Sequence, residues 1–252
     1  MSEALRSNTS VIIPLFNKAR TIERAISSVY KQEVSPLEVI VIDDGSTDES
    51  LEVVRGIQKQ IADEVPLYVI TQQNRGPGAA RNTGARVARG TRLAFLDSDD
   101  EWMPTFLSAT DELFRRNRDV DVPAVCVGYI ESPSGKNLAS LWQRRGIRSG
   151  LMQWSSETPL ASALAAIAYL SSWSTVITKE AFQSLGGFFD EERSLYGEDT
   201  FLWLQLLLNH PIVISLDPHV IYHREASELT APSSGPRPIE PFLMFPKRIL
   251  NT

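Results

Sequence analysis

The chain has 252 residues, of which 42% are hydrophobic and 22% are charged, and this composition is ordinary for a folded globular protein. Its formal net charge of −6 argues against a general nucleic-acid binder, because such proteins present a basic face. The single cysteine, Cys126, excludes an internal disulfide, and its apolar neighbours indicate a buried thiol instead of a nucleophile. No apolar run approaches the ~18 residues of a membrane span, and residues 1–10 lack a signal-peptide core, so we expect a cytoplasmic protein.

The first half of the chain alternates short apolar strands with helices. The predicted strands are residues 11–14, 39–42, 67–70 and 93–96. The predicted helices are residues 21–31, a helix opened by a capping box of Ser46 and Glu49, residues 79–89, and a helix with Pro104 in its first turn. Strands that are apolar at every position are typical of a parallel sheet covered on both faces. The alternation therefore predicts a doubly wound, mostly parallel sheet.

Polar side chains follow each of these four strands. They are Asn17, then Asp43 and Asp44, then Asn74 and Arg75, then Asp97 and Asp99. Right-handed crossovers bring the carboxyl ends of consecutive parallel strands to one edge of the sheet, where ligands bind in such folds. The sequence therefore predicts a binding site at this edge.

The second half of the chain is less regular. We predict strands at 122–130, 173–178 and 212–216, helices at 160–170 and 198–208, and a turn at 186–188. Residues 131–150 are polar and are predicted to form a loop. Five prolines from residue 231 onward argue against a compact element in that segment.

Asp97 and Asp99 lie two residues apart just past a strand end, where their carboxylates can share one hard cation. Mg²⁺ and Mn²⁺ prefer oxygen ligands and are often held through few carboxylates plus substrate phosphates. Asp and Ser are also common turn residues, so this pattern alone leaves a plain turn open. Asp43 and Asp44 have a similar alternative, since they can accept hydrogen bonds from a base or ribose or can help to cap a helix.

The loop of residues 74–78 forms a third candidate together with Arg81 and Asn82. Its glycines, including Gly76, permit close backbone approach, and Arg75 or Arg81 can hold phosphate. The loop lacks the Gly-Lys-Ser/Thr ending of a phosphate-binding P-loop, and a plain connecting loop stays open as an interpretation.

Two further candidates lie late in the chain. Glu198 and Asp199 open a predicted helix, whose dipole stabilises an anion and keeps a carboxylate ready to accept a proton; ordinary capping is the alternative. His223 can ligate a metal or contact a diphosphate, although a lone histidine is more often structural.

Taken in order, these motifs resemble the family-2 inverting glycosyltransferases, which have the GT-A type fold. The resemblance runs over residues 11–223 and rests on the segments PLFN at 14–17, DDGSTD at 43–48, NRG at 74–76, ARN at 80–82, LDSDD at 96–100 and GED at 197–199. It implies a Rossmann-like, mostly parallel central sheet flanked by helices, with a smaller acceptor-side region. The single domain would comprise a donor-binding half at 1–120 and an acceptor-binding, catalytic-base half at 121–230, followed by a Pro-rich tail at 231–252.

The resemblance also implies roles for individual residues. Phe16, where the family often has Tyr, would lie against the nucleobase, and Asp44 would bind the base. The donor-binding residues it implies are Pro14, Phe16, Asn17, Asp43, Asp44, Arg75, Gly76, Arg81, Asn82, Asp97 and Ser98. Asp99 would ligate a divalent metal, with Asp97 and His223 as further ligands, and Asp199 would be the catalytic base beside Glu198.

The activity implied by the resemblance is a metal-dependent, inverting hexosyl transfer. The cofactor would be Mn²⁺ or Mg²⁺, the donor a nucleoside-diphosphate sugar with UDP favoured, and the acceptor a glycan or lipid-linked hydroxyl in cell-surface polysaccharide or glycan assembly. A non-catalytic nucleotide-sugar binding subunit and a sugar nucleotidyltransferase stay open as alternatives. Apolar and basic residues at 242–248 leave open a peripheral contact with the inner face of a membrane, although such a tail more often packs on its own domain.

Overall fold

A computed structural model describes residues 6–61, 65–191, 194, 196–226 and 239–250. Its strands are β1 (Thr9–Leu15), β2 (Glu38–Asp43), β3 (Leu67–Thr71), β4 (Arg92–Phe95), β5 (Glu101–Trp102), β6 (Ala124–Ser132), β7 (Lys136–Asn137), β8 (Gly150–Met152), β9 (Thr175–Thr178) and β10 (Ile212–His223). Its helices are α1 (Ile22–Tyr30), α2 (Ser50–Gln60), α3 (Pro77–Val87), α4 (Phe106–Arg116), α5 (Ala139–Arg144), α6 (Leu160–Tyr169), α7 (Lys179–Ser184), α8 (Glu198–Asn209), α9 (Pro241–Met244) and α10 (Pro246–Leu250).

The first four strands form the parallel part of a single sheet. β1 pairs in parallel with β2 on one side and with β4 on the other, and β3 extends the sheet beyond β2. Val11 lies beside Val39 and Ala94, and Val39 lies beside Leu67. The predicted alternation of parallel strands and helices is confirmed, and it places the carboxyl ends of β1 to β4 on one edge.

The second part of the sheet is mixed. The strand order is β3-β2-β1-β4-β9-β6-β10-β5. β9 runs antiparallel to both β4 and β6, β6 and β10 are parallel, and β5 is antiparallel to β10. β10 continues to His223, past its predicted end at residue 216, because its pairing with β6 extends that far. This mixed part completes the α/β fold expected from the resemblance.

Successive side chains of the central strands point to opposite faces of the sheet. Val11 and Ile13 of β1 belong to one apolar core, and Ile12 between them belongs to the other. Helix α3 lies against β1 so closely that a Cβ at Gly84 would be 2.5 Å from Ile12 Cγ2. The small side chains of α3 therefore allow close packing over the strand.

The capping box predicted at Ser46 is wrong. α2 begins at Ser50, and Ser46 Oγ instead accepts a hydrogen bond from the Asn17 N–H at 3.1 Å. The N–H of Ser50 donates to Asp48 Oδ1 at 3.0 Å. The Ser46 hydroxyl is therefore used to join two loops and does not start the helix.

Residues 131–150 are not the plain loop predicted from their polarity. They contain β7, α5 and the start of β8. Trp142 of α5 is 5% exposed and packs edge-on against Tyr169, with 5.3 Å between ring centroids. One buried aromatic side chain thus anchors a short helix whose other residues are mostly polar.

The described part of the C-terminal segment is helical and packed, contrary to the expectation from its prolines. Residues of α9 and α10 form a small apolar cluster with the segment before α8 and with α8 itself. The residues that meet there are Phe189, Phe201, Phe242, Phe245 and Ile249. Residues 231–238, which also belong to the predicted tail, lie outside the described residues.

The longest described helix is α8, with 12 residues. Over the described ranges, none of the helices combines the length and the apolar character that crossing a membrane requires.

Candidate active site

The loops after β1 and β2 are tied together at the carboxyl edge of the sheet. Asn17 has a φ of 52°, in the left-handed region that asparagine tolerates better than most side chains. In this conformation its Oδ1 accepts a hydrogen bond from the Thr47 N–H at 2.8 Å. Asp43 Oδ1 accepts from the Ser46 N–H at 3.1 Å. Asn17 and Asp43, both predicted donor-binding residues, therefore shape the loops around the proposed donor site.

Asp44 holds the loop that follows β3. Its Oδ1 accepts hydrogen bonds from Gln72 Nε2 at 2.7 Å and from the Arg75 N–H at 2.9 Å, and its Oδ2 accepts from the Gly76 N–H at 2.8 Å. The side chain is buried. In the structure the carboxylate predicted to bind a base thus fixes the position of Arg75 and Gly76.

Three carboxylates gather directly after β4. One oxygen from each of Asp97, Asp99 and Asp100 lies within 4.8 Å of the others. Carboxylate oxygens at this spacing are the ligands that Mg²⁺ and Mn²⁺ prefer, so this aspartate cluster fits a divalent cation. Among the residues that the structure describes, the cluster includes both predicted aspartate ligands and adds Asp100, but it does not include His223.

The aspartate cluster holds more negative charge than its surroundings neutralise. Burial raises the pKa of Asp99, the charge of Asp97 raises it further, and Lys18 opposes both. Lys18 Nζ lies 3.1 Å from Asp99 Oδ2. The pKa of Asp100 lies well above its ordinary value, first because the carboxyl is buried and then because of the charges of Asp97 and Asp99. A cation among these oxygens would relieve this repulsion.

His223 borders the aspartate cluster through its backbone. Its N–H donates to Asp100 Oδ1 at 2.8 Å. Its ring Nδ1 lies 3.0 Å from Glu225 Oε1, and its Nε2 lies 3.3 Å from Glu101 Oε2. Because β5 pairs with β10, Glu101 lies beside this ring. The imidazole predicted as a metal ligand is therefore held between two glutamates.

Arg81 connects the aspartate cluster to the acidic pair at the start of α8. Its Nη2 donates to Asp97 Oδ1 at 2.6 Å, and its Nη1 donates to Glu198 Oε1 at 2.9 Å. The guanidinium also lies over the Phe188 ring, 5.2 Å from the centroid. Burial lowers the pKa of Arg81, but Asp97 and Glu198 together raise it above its ordinary value. In the structure both Nη atoms of Arg81 thus donate to carboxylates, whereas the sequence suggested that Arg81 can hold a phosphate.

Glu198 and Asp199 differ in their access to a ligand. Burial raises the pKa of Glu198 to about 7, with the charge of Asp199 adding to the rise and Arg81 opposing it. Burial also raises the pKa of Asp199, again against the effect of Arg81. Glu198 is 6% exposed and paired with Arg81, whereas Asp199 is partly exposed and accepts a hydrogen bond from the Thr200 N–H at 2.7 Å. Of the two residues, Asp199 is the more exposed.

Two residues of α3 fix the segment that leads into α8. A Cβ at Gly78 would lie 2.4 Å from the Phe189 carbonyl oxygen and 3.1 Å from Glu198 Cγ, so only a glycine permits this approach. Asn82 Nδ2 donates to the Phe188 carbonyl at 2.8 Å, and Asn82 Oδ1 accepts from the Phe188 N–H at 3.0 Å. Asn82, predicted to bind the donor, thus holds the backbone before the acidic pair.

The remaining predicted donor-binding residues vary in exposure. Phe16 follows β1 and is 41% exposed, so part of this residue is open to solvent. Arg75 is exposed, with its Nη2 3.7 Å from Asp190 Oδ2. Ser98 is buried, and Pro14 lies within β1 beside β2.

Three residues of the site were given no role by the sequence analysis. Lys18 follows the predicted residue Asn17, and Asp100 follows the predicted residue Asp99, so their positions in the sequence could have indicated that they belong to the site. Gln72 lies between β3 and the 74–78 loop, and no sequence signal distinguishes it.

Comparison with curated proteins finds similar glycosyltransferases over part of the chain. An uncharacterized glycosyltransferase of Nostoc sp. is 43% identical over 114 residues, which are 45% of this chain and 34% of that protein. The GalNAc(5)-diNAcBac-PP-undecaprenol beta-1,3-glucosyltransferase of Campylobacter jejuni is 38% identical over 99 residues, which are 39% of this chain and 32% of that protein. The matched segment spans about a third of the length of each of these relatives.

Comparison with solved structures and with family models agrees with the fold described above. Staphylococcus aureus TarS in complex with UDP-GlcNAc superposes with a TM-score of 0.70 at 20% identity, over 90% of this chain and 61% of that one. At this identity the likeness shows the fold, which is of the GT-A type. The model named Glycosyl transferase family 2 matches residues 10–169. Since this match covers more than half of the 252 residues, the chain belongs to glycosyl transferase family 2.

Proposed function

We propose that the protein is a metal-dependent, inverting glycosyltransferase that moves a sugar from a nucleoside-diphosphate sugar to a hydroxyl of a glycan or lipid-linked acceptor. The observation that carries this proposal is the Arg81 bridge between the aspartate cluster and Glu198. A diphosphate donor needs a cation, and an attacking hydroxyl needs a base. The buried Arg81 guanidinium holds the aspartate cluster, which is suited to bind a cation, beside the acidic pair at the start of α8, which is suited to supply a base.

The donor would lie at the carboxyl edge of β1 to β4. The partly exposed Phe16 would stack on a nucleobase, and the exposed Arg75 would offer a guanidinium to the base or the phosphates. Asp44 supports this function by fixing the loop that carries Arg75. UDP-GlcNAc is the ligand of TarS, and this supports a UDP-sugar as the first donor to test.

Asp97 and Asp99, with Asp100 beside them, would hold Mn²⁺ or Mg²⁺. A bound metal would neutralise the negative charge that grows on the departing diphosphate. Lys18 adds positive charge at the same place through its contact with Asp99. This arrangement favours departure of the nucleoside diphosphate.

Asp199 would act as the catalytic base. The acceptor oxygen forms a bond to the anomeric carbon while the bond from that carbon to the diphosphate oxygen breaks, and the acceptor proton passes to Asp199. One displacement of this kind inverts the anomeric configuration. The raised pKa of Asp199, caused by burial, increases its affinity for that proton. Glu198, held by Arg81, orients the start of α8.

The chemical class of the acceptor is proposed from the name of a relative. The C. jejuni relative is named for an undecaprenol-diphosphate-linked glycan. This name supports a lipid-linked acceptor, in the assembly of a cell-surface glycan.

Calorimetric titration of UDP, GDP and dTDP, with and without Mn²⁺, tests the donor side of the proposal. We expect UDP to bind in a Mn²⁺-dependent way and Asp99→Asn to lose that dependence. Asp119→Asn is the matched control, because that carboxylate is 93% exposed and lies beyond α4. Failure of all three nucleotides to bind in any condition would count against the donor site.

A transfer assay with the nucleotide sugar that binds tests the reaction. Release of the nucleoside diphosphate together with a glycosylated acceptor supports the proposal. Release of pyrophosphate would indicate a nucleotidyltransferase, and binding without turnover on any glycan or lipid-linked acceptor would indicate a non-catalytic subunit.

A further inference from the structure

Helix α1 carries polar side chains on the face that meets the chain after the aspartate cluster. Arg24 and Ser28 lie in the helix and Gln32 lies just after it, at intervals of four residues. Side chains four residues apart in a helix lie one above another on the same face. Gln32 Nε2 donates to the Ser28 carbonyl at 3.1 Å, which continues this spacing past the last residue of α1. We call these three residues the α1 polar row.

Ser28 and Gln32 hold the chain that leads from the aspartate cluster into α4. Ser28 Oγ accepts a hydrogen bond from the Trp102 N–H of β5 at 3.1 Å. Gln32 Nε2 donates to the Met103 carbonyl at 2.7 Å, and Gln32 Oε1 accepts from the Leu107 N–H at 3.0 Å. Because β5 also pairs with β10, this segment is held by α1 as well as by the sheet.

Arg24, the first residue of the row, reaches the aspartate cluster itself. Its Nη2 donates to the Asp99 carbonyl at 2.5 Å. The Asp100 N–H donates to the Asp97 carbonyl at 3.0 Å, so the chain turns between these two residues. The peptide unit is planar, and a hydrogen bond to the Asp99 carbonyl therefore fixes the plane that joins Asp99 to Asp100. This bond sets the direction in which both side chains leave the turn.

The contact of Arg24 with Glu101 is looser than its contact with Asp99. Arg24 Nε lies 4.0 Å from Glu101 Oε2, which is too long for a hydrogen bond. Glu101 Oε2 lies closer to His223 Nε2, at 3.3 Å. The shorter of these two Arg24 contacts is thus the one with the backbone of a proposed metal ligand.

The unit of β1 and α1 holds Asp99 at two points. Lys18, in the loop between them, has its Nζ 3.1 Å from Asp99 Oδ2, and Arg24 of α1 binds the Asp99 carbonyl. A ligand that is held through both its backbone and its side chain has less conformational freedom to lose when it binds a cation.

We propose that Arg24 is a positioning residue for the proposed metal site, because its hydrogen bond to the Asp99 carbonyl aims the Asp99 carboxylate at the cation. Partners of metal ligands commonly orient those ligands, and their loss weakens metal binding. The inference rests on the proposed function and deepens it, since it adds to the same site a residue that acts through Asp99. A purely electrostatic role would have the opposite effect, because removal of a positive charge beside the cluster would strengthen the binding of a cation.

Titration of Mn²⁺ into the full chain, followed by the electron paramagnetic resonance signal of the free ion, tests the inference. Arg24→Met should raise the Kd for Mn²⁺ by about ten-fold or more, which is the usual effect of losing a residue that orients a metal ligand. Arg24→Lys should bring the Kd back to within about three-fold of the wild type, because the contact with Asp99 uses one N–H and an ammonium can supply it.

Two further variants separate positioning from loss of charge and from loss of stability. Arg20→Met removes the same charge from an exposed residue that lines the same surface cleft as Arg24, and it should leave the Kd unchanged. Gln32→Met removes the contacts of the α1 polar row that lie farther from the cluster. It should lower the urea midpoint at least as much as Arg24→Met does, but it should change the Kd for Mn²⁺ less than Arg24→Met. Circular dichroism checks that each variant is folded.

Three outcomes would overturn the role of Arg24 while leaving the metal site in place. In the first, the wild type binds Mn²⁺ and Arg24→Met binds it equally well or more tightly. In the second, Arg20→Met weakens binding as much as Arg24→Met does, and in the third Gln32→Met does so. Absence of Mn²⁺ binding by the wild type would instead overturn the proposed metal site, and this inference with it.

Discussion

The aspartate cluster after β4 and the acidic pair at the start of α8 are both rich in carboxylates, but they are neutralised differently. In the cluster, burial and mutual repulsion raise the pKa of Asp99 and Asp100, and Lys18 contacts Asp99. Arg81 serves both groups, since it contacts Asp97 of the cluster at 2.6 Å and Glu198 of the pair at 2.9 Å. Negative charge therefore stays in excess in both groups: three carboxylates share Arg81 and Lys18 in the cluster, and two share Arg81 in the pair, where the pKa of Glu198 is raised to about 7.

Arg81 contacts both groups of carboxylates, so its replacement should have the largest effect on stability. Arg81→Met leaves the buried Glu198 without its cation, and we expect a loss of up to about 5 kcal/mol in the free energy of unfolding. Urea denaturation measures this loss. The double variant with Glu198→Gln should recover part of it, because the uncompensated charge is then removed. A single variant as stable as the wild type would show that the bridge contributes little.

Replacement of Asp199 should separate catalysis from stability. Asp199→Asn removes the proposed proton acceptor, and we expect kcat to fall by about 10³-fold, or about 4 kcal/mol, with nucleotide affinity unchanged. Steady-state kinetics beside nucleotide titration measures both. Transfer at the wild-type rate in this variant would exclude Asp199 as the base.

Gly78→Ala should push α3 away from the acidic pair at the start of α8. The added Cβ would meet the Phe189 carbonyl oxygen at 2.4 Å, and we expect a loss of about 1–3 kcal/mol in stability. Gly56→Ala in α2 is the matched control, because its Cβ would meet nothing within 4 Å, and it should stabilise by about 0.4–1 kcal/mol. Thermal unfolding of both variants tests this, and equal effects would contradict the close approach.

The pH dependence of stability should report the protonation of Glu198. The pKa of Glu198 is raised from 4.5 to about 7 in the folded chain, so the folded state binds this proton more tightly than the unfolded state does. The stabilisation by this group is therefore complete below about pH 4.5 and is lost as the pH rises through about 7. One proton limits the slope to about 1.4 kcal/mol per pH unit.

Denaturation between pH 5 and pH 8, compared with Glu198→Gln, measures that slope. The variant should show a flatter profile in this window. Glu112→Gln is the control, because hydrogen bonds from Arg115 and Arg116 lower the pKa of Glu112 to about 2, which lies outside the window. Equal slopes of stability against pH in the wild type, Glu198→Gln and Glu112→Gln would contradict the assignment.

The parallel part of the fold could be predicted because its signal is local. The strands around Val11 and Val39 are apolar at every position, and the polar residues that follow them mark one edge of the sheet. The proposed metal ligands Asp97 and Asp99 were found for the same reason.

Other features depend on contacts between distant residues, and no local pattern contains them. Arg81 and Glu198 are 117 positions apart, so their pairing could not be derived from spacing. The short helix α5 depends on the burial of Trp142, and α9 and α10 depend on a cluster with Phe189 and Phe201. The capping box at Ser46 had a correct sequence pattern, but Asn17 uses that hydroxyl.

The Arg81 bridge also constrains how the protein can be recombined with its relatives. The match to the family model ends at residue 169, before Glu198, so a chimera built from the matched segment alone would separate the two partners. A graft that carries Arg81 without an acidic residue opening α8 would leave this buried guanidinium with only one of the two carboxylate partners described above, Asp97. The segments that carry Arg81 and Glu198 should therefore be transferred together.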